Sequence, residues 1–162
     1  MSIDSTVGGT SSNSFVSLSE ADTYFENSPK SSLWDAVVEQ ESALIYATTL
    51  LDSMVSWVGV RSTSTQALDW PRDVDDHPEY DDIIPVNVKR ATFELALTVQ
   101  DGTSTITDVS VDSVKVGPIS VNLNEDMPTV LLPQLVIAMI SELGSVASYS
   151  GSGVCTPGLL RV

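Results

Sequence analysis

The residues best suited to chemistry crowd into one stretch, QALDWPRDVDDHPEYDDIIP, from Gln66 to Pro85. It holds the only histidine of the chain, His77, among Asp73, Asp75, Asp76, Glu79, Asp81 and Asp82. A calcium loop places oxygen ligands at positions one, three and five, glycine at six and glutamate at twelve. Asp73 and Asp75 meet the first two positions, but His77 stands at the fifth and Pro78, which cannot make the turn, at the sixth. The pattern fails. A solvated, acid-rich turn explains the segment better, with Asp81 and Asp82 near a helix N-terminus, where negative charge is favoured. Loose Ca²⁺ or Mg²⁺ binding by some of these carboxylates stays open.

His77 and the single cysteine, Cys155, lie far apart in sequence and form no recognisable nucleophile pair. Zinc would need more histidine or cysteine ligands than one chain supplies. No glycine-rich phosphate loop follows a strand. The sequence therefore predicts no catalytic residue, no metal site and no cofactor. Trp70-Pro71-Arg72 is a different kind of feature. Pro71 fixes its own φ and holds Trp70 extended, and Arg72 offers a planar fork to a carboxylate. The indole either plugs the core or meets another subunit, where Trp and Arg are enriched.

The elements that must position these residues are mostly helical. Ser17 and Glu20 form a capping box, and Ala21, Tyr24 and Phe25 share a face, which predicts a helix over about 20–27, ended by Pro29. Apolar residues from Trp34 to Val55 recur at steps of three and four, predicting a helix of about six turns from Ser32. The long segment 61–84 shows no periodicity. Pro85 opens a further helix, with Val88, Ala91, Leu95 and Val99 as its stripe. Two alternating runs either side of Gly117-Pro118 predict a β-hairpin or extended arm within about 106–124. Residues 129–143 read as a last helix, apolar on nearly every side and so buried all round. The expected architecture is mainly α: a small bundle of about four helices with a β-hairpin or arm and flexible tails. Its parts are a leader at 1–14, flexible until something pins it, a domain at 15–143 and a tail at 144–162.

The chain has 162 residues and a formal net charge of −15, with 22 acidic and seven basic residues. Of the basic ones, only Lys89 and Arg90 are adjacent. Affinity for nucleic-acid backbones comes largely from Lys and Arg displacing counterions, so this composition argues against tight, sequence-independent DNA binding. Charged residues make up only 18%, which favours an oligomer. One cysteine excludes an intrachain disulfide. The start lacks the charged and apolar regions of a signal peptide, and the longest apolar run is too short to span a bilayer.

The ordered blocks FVSLSEADTYF, ALIYATTLLD, WVGVR (57–61), QALDWPR (66–72), IIPVNVKRATFELAL (83–97) and VKVGPISV (114–121) carry a resemblance over about 15–140. The chain resembles a family of tailed-bacteriophage head-to-tail adaptors, also called connector or head-completion proteins, some of whose members are labelled DnaT-like single-stranded DNA-binding proteins. The resemblance implies a structural virion protein of the neck, assembled in the host bacterial cytoplasm. It implies a homo-oligomer, a dodecameric ring, joining the portal protein to tail or neck proteins, with DNA passing through the lumen without tight binding and no membrane partner. Trp70, Pro71 and Arg72, with the terminal Leu159, Leu160, Arg161 and Val162, are then the expected subunit and portal contacts. The acidic segment after Arg72 is longer than in typical members. The alternative is a single-stranded DNA-binding protein of a primosome-like type, which needs a basic groove with stacking aromatics.

Overall fold

Helix α1 (Leu18–Glu26) begins where its capping box places it. Ser17 is extended (φ −88°, ψ 161°), its hydroxyl accepts from the Glu20 N–H, and the Glu20 carboxylate accepts from the Ser17 N–H at 2.8 Å. The computed structural model describes residues 2–75, 77–100 and 132–146, and the backbone of four two-residue strands at 106–107, 115–116, 119–120 and 129–130. Within these residues the protein is a small, mainly α domain with a few short strands.

The single long helix expected after residue 32 is two helices, α2 (Ser31–Asp35) and α3 (Gln40–Met54). The break falls at the β-branched Val37 and Val38, which are stiff and disfavour helix. Val38 is 90% exposed, so its apolar spacing does not mark a core position. The Gln40 side chain donates to the Trp34 carbonyl at 3.0 Å and closes the end of α2. On α3, Ala43, Leu44, Ala47, Thr48 and Leu51 form the buried stripe.

The chain then runs through β1 (Val55–Trp57), β2 (Val60–Arg61), β3 (Arg72–Asp73), a 3₁₀ turn (Pro78–Tyr80) and α4 (Val86–Gln100). Pro85 sits just ahead of α4, and its carbonyl accepts the first helical bond, from Lys89, at 3.1 Å. Helix α4 is the axis of the core: Val88 and all seven residues from Ala91 to Leu97 are buried, with α3 and α5 (Gln134–Ile140) packed on it. Before α5 come β4 (Ile106–Thr107), β5 (Lys115–Val116), β6 (Ile119–Ser120) and β7 (Thr129–Val130); after it comes β8 (Gly144–Val146). Strand β5 pairs antiparallel with β6, Lys115 opposite Ser120, and β4 pairs with β7. The rest of the expected 106–124 element lies outside the described residues.

The last helix is shorter than expected, and not buried all round. Pro133 is its N-cap (φ −54°, ψ 142°), and the proline disfavours the helical region at Leu132, so the helix does not extend further back. Val136 and Ile140 face the core, whereas Leu135 is half exposed. Past it, β8 pairs antiparallel with β1, Val55 opposite Val146 and Trp57 opposite Gly144, which ties together segments some ninety residues apart.

The leader is pinned. Asp4 N–H donates to Asn13 Oδ1 at 2.7 Å, Asn13 N–H returns to the Asp4 carbonyl at 2.9 Å, and Ala67 N–H reaches the Gly9 carbonyl at 3.0 Å. Phe15 and Val16 then enter the core, and the Phe15 N–H donates to Thr48 Oγ1 on α3.

Candidate nucleic-acid interface

The Gln66–Arg72 block folds as a clip within its own chain. Gln66 is buried; its amide donates to the carbonyls of Leu68 and Pro71 at 2.9 Å, and its oxygen accepts from Thr63 N–H. Trp70 is 1% exposed and packs edge-on against Trp57, ring centres 5.7 Å apart. Pro71 is also buried. Arg72 donates to the carbonyls of Val58 (2.8 Å) and Gly59 (2.7 Å). Gly59 has φ +71°, and a Cβ there would fall 2.2 Å from the Asp73 carbonyl oxygen, so only glycine fits this turn. Asp69 is shared by Arg61 (2.6 Å) and Arg72 (3.5 Å), and its N–H donates to Asp52. Burial pushes the Asp52 carboxyl above the ordinary aspartate value. Leu159, Leu160, Arg161, Val162 and Cys155 lie outside the described residues.

The acidic turn is exposed, as its composition implies. His77 Nδ1 lies 3.0 Å from Glu79 Oε1, which holds the Glu79 carboxyl below its usual range. Among the described residues no group of three His, Cys, Asp or Glu side chains is placed to hold a metal.

The arrangement that can bind something lies elsewhere, between α1 and α4. Tyr24 stacks on Phe93 (4.9 Å between centres, 29° between planes), and Phe25 stacks on Trp34 behind them (4.8 Å, 21°). Fully burying a side chain such as Phe25 contributes about 1.5–3 kcal/mol, so this aromatic block is a rigid wall. A cleft of about 290 Å³ opens beside it, lined on α1 by Glu20 and Tyr24 and on α4 by Val86, Lys89, Arg90 and Phe93. The four α4 residues follow i, i+3, i+4, i+7 spacing, which puts them on one helical face.

Two carboxylates organise the charge here: Glu20 lines the cleft, and Glu94 adjoins it through the Tyr24 hydroxyl. Glu94, buried on α4, accepts from the Tyr24 hydroxyl at 2.9 Å and from Lys30 Nζ at 2.5 Å. Burial and the Glu94 contact push the Tyr24 hydroxyl up to about 12, so it remains a neutral donor. Glu20 accepts from Lys89 Nζ at 2.6 Å. Partial burial raises the Glu20 carboxyl, but Lys89 and the Ser17 donors outweigh it and leave the carboxyl below its ordinary value. Arg90 is exposed and, among the described residues, makes no ion pair.

A second cleft, of about 440 Å³, lies between α1 and α2 and has the opposite character. Asp22, Glu26 and Asp35 line it, with Trp34 at its base donating its indole N–H to Asp22 at 2.9 Å.

A small helical domain with cations and aromatics gathered at one cleft has the parts of a nucleic-acid binding module. The chain belongs to the family described as "Putative DnaT-like ssDNA binding protein", whose profile it matches over residues 1–152. No curated protein and no solved structure matches it.

Family membership corrects the adaptor reading. It favours the single-strand alternative and gives no support to a phage head-to-tail adaptor, a virion neck role, a dodecameric ring or a portal partner. It also overturns the expectation that DNA is not held tightly. The physical reason is that charge was averaged over the whole chain. The cleft is lined by Lys89 and Arg90 with Glu20 as its one acid, so its local charge is opposite in sign to that of the chain. The Gln66–Arg72 block, prominent in sequence, marks how a loop is clipped and says nothing of a ring.

Proposed function

We propose that this protein binds single-stranded DNA in the cleft between α1 and α4. The observation that carries the reading is the Tyr24–Phe93 wall with Val86, Lys89 and Arg90 beside it on one face of α4. Binding of single strands without sequence preference combines a surface on which bases stack with cations that track the phosphates. Here the half-buried Tyr24, backed by the buried Phe93, takes an unpaired base, and Arg90 at the rim takes the adjacent phosphate. The acidic α1–α2 cleft repels the strand and confines it to the other flank of α1. No catalytic role is part of the proposal. The paired strands β5 and β6 are, in this reading, part of an extended arm.

The test is fluorescence anisotropy with a labelled oligothymidylate at low salt. Saturable binding that weakens as salt rises is expected, and Arg90→Glu is expected to weaken it by about tenfold or more with an unchanged melting curve. Absence of saturable binding, or an Arg90→Glu variant that binds as the parent does, overturns the reading.

A further inference from the structure

We infer that Glu20 competes with DNA phosphates for Lys89 in the α1–α4 cleft, so that an entering strand must take Lys89 away from a carboxylate. This rests on the cleft being the single-strand site.

Lys89 is engaged, its Nζ 2.6 Å from Glu20 Oε1; the Lys30–Glu94 pair (2.5 Å), outside the lining of the cleft, is its buried counterpart. Neither carboxylate depends on its lysine for position. Glu20 Oε2 is fixed by the Ser17 N–H and hydroxyl, and Glu94 Oε1 by the Tyr24 hydroxyl. When Lys89 swings out on its flexible stem, Glu20 therefore stays behind, still in the cleft and still competing. The two pairs differ in burial. The Glu20 side chain is 42% exposed and water can take over its solvation, whereas the Glu94 side chain is 9% exposed and would be left as a buried charge. Lys89 is thus the lysine that can be released, and Arg90 binds without any release.

This ordering has a measurable signature. On single strands each neutralised phosphate contributes about −0.7 to the slope of log K against log salt. A cleft that meets DNA through Arg90 with Lys89 still held shows a slope of about −0.7, and freeing Lys89 adds as much again. Glu20→Gln removes the competing charge while keeping the capping box, because glutamine also serves at that helical position.

The experiment titrates a labelled oligothymidylate across a salt series with the parent chain, Glu20→Gln and the double variant Glu20→Gln/Lys89→Gln, with a melting curve for each. Glu20→Gln is expected to bind about three- to fivefold more tightly at low salt with a slope steeper by about 0.7, and the double variant to lose both gains. If the parent binds but Glu20→Gln has the same affinity and slope, or if the double variant keeps the gain, the competition is overturned while the single-strand site stands. If none of the three chains binds, the single-strand reading falls and this inference falls with it.

Discussion

The two clefts that flank α1 are built from one helix and the same aromatic block, yet they are electrostatic opposites. On the α4 side, Lys89 and Arg90 stand beside Tyr24 and Phe93; on the α2 side, Asp22, Glu26 and Asp35 surround Trp34. Ser19 and Thr23 line both. The difference teaches that a strongly negative total charge is no guide to each surface. Fields from exposed charges die away over about 10 Å at moderate salt, so a cation cluster one helix-width from an acidic one still acts locally.

The largest expected effect breaks both clefts together. Phe25 is fully buried and touches Tyr24, Trp34 and Phe93. Phe25→Ala is expected to cost about 3–5 kcal/mol of stability in chemical denaturation; a loss below about 1 kcal/mol would mean the clefts do not share a wall. Next comes the double variant Glu26→Gln/Asp35→Asn, which neutralises the acidic side at exposed positions. It should leave stability within about 0.5 kcal/mol and DNA affinity unchanged or slightly higher. Loss of binding would transfer the site to the α1–α2 cleft. Tyr24→Phe keeps the stack but removes the hydroxyl from Glu94, at an expected cost of about 1 kcal/mol read by thermal melting. The smallest effect concerns pH. The folded-state value of Glu20 is depressed, so it contributes stability above the ordinary glutamate range, and this is lost as pH falls through the depressed value. At a partly exposed site the contribution is well under about 1 kcal/mol. The stability gap between the parent and Glu20→Gln should therefore close on acidification, and a gap that persists in acid would detach it from the Lys89 pair.

Much of the fold could be read directly. Ser17 and Glu20 announced α1, Pro85 announced α4, and the mainly α character followed from the spacing of apolar residues. The split between α2 and α3 was hidden because Val37 and Val38 continue an apolar pattern that the backbone does not. The pairing of β1 with β8 has no local signal at all. The candidate site was not read from sequence. Lys89 and Arg90 are the one adjacent basic pair, but the charge balance weighs against DNA binding; the signal passed over is that Val86, Lys89, Arg90 and Phe93 repeat at helical spacing. Tyr24 could not be added from sequence, because only the tertiary contact of α1 with α4, its stack on Phe93, brings it there.

Trp34, Trp57 and Trp70 are 1%, 8% and 1% exposed, and none of them lines the α1–α4 cleft. Intrinsic emission from this protein is therefore a gauge of whether the core is intact, blue-shifted when folded and red-shifted when not. A strand that stacks on Tyr24 should leave it unchanged. A spectral change on adding DNA would report that the core itself had moved.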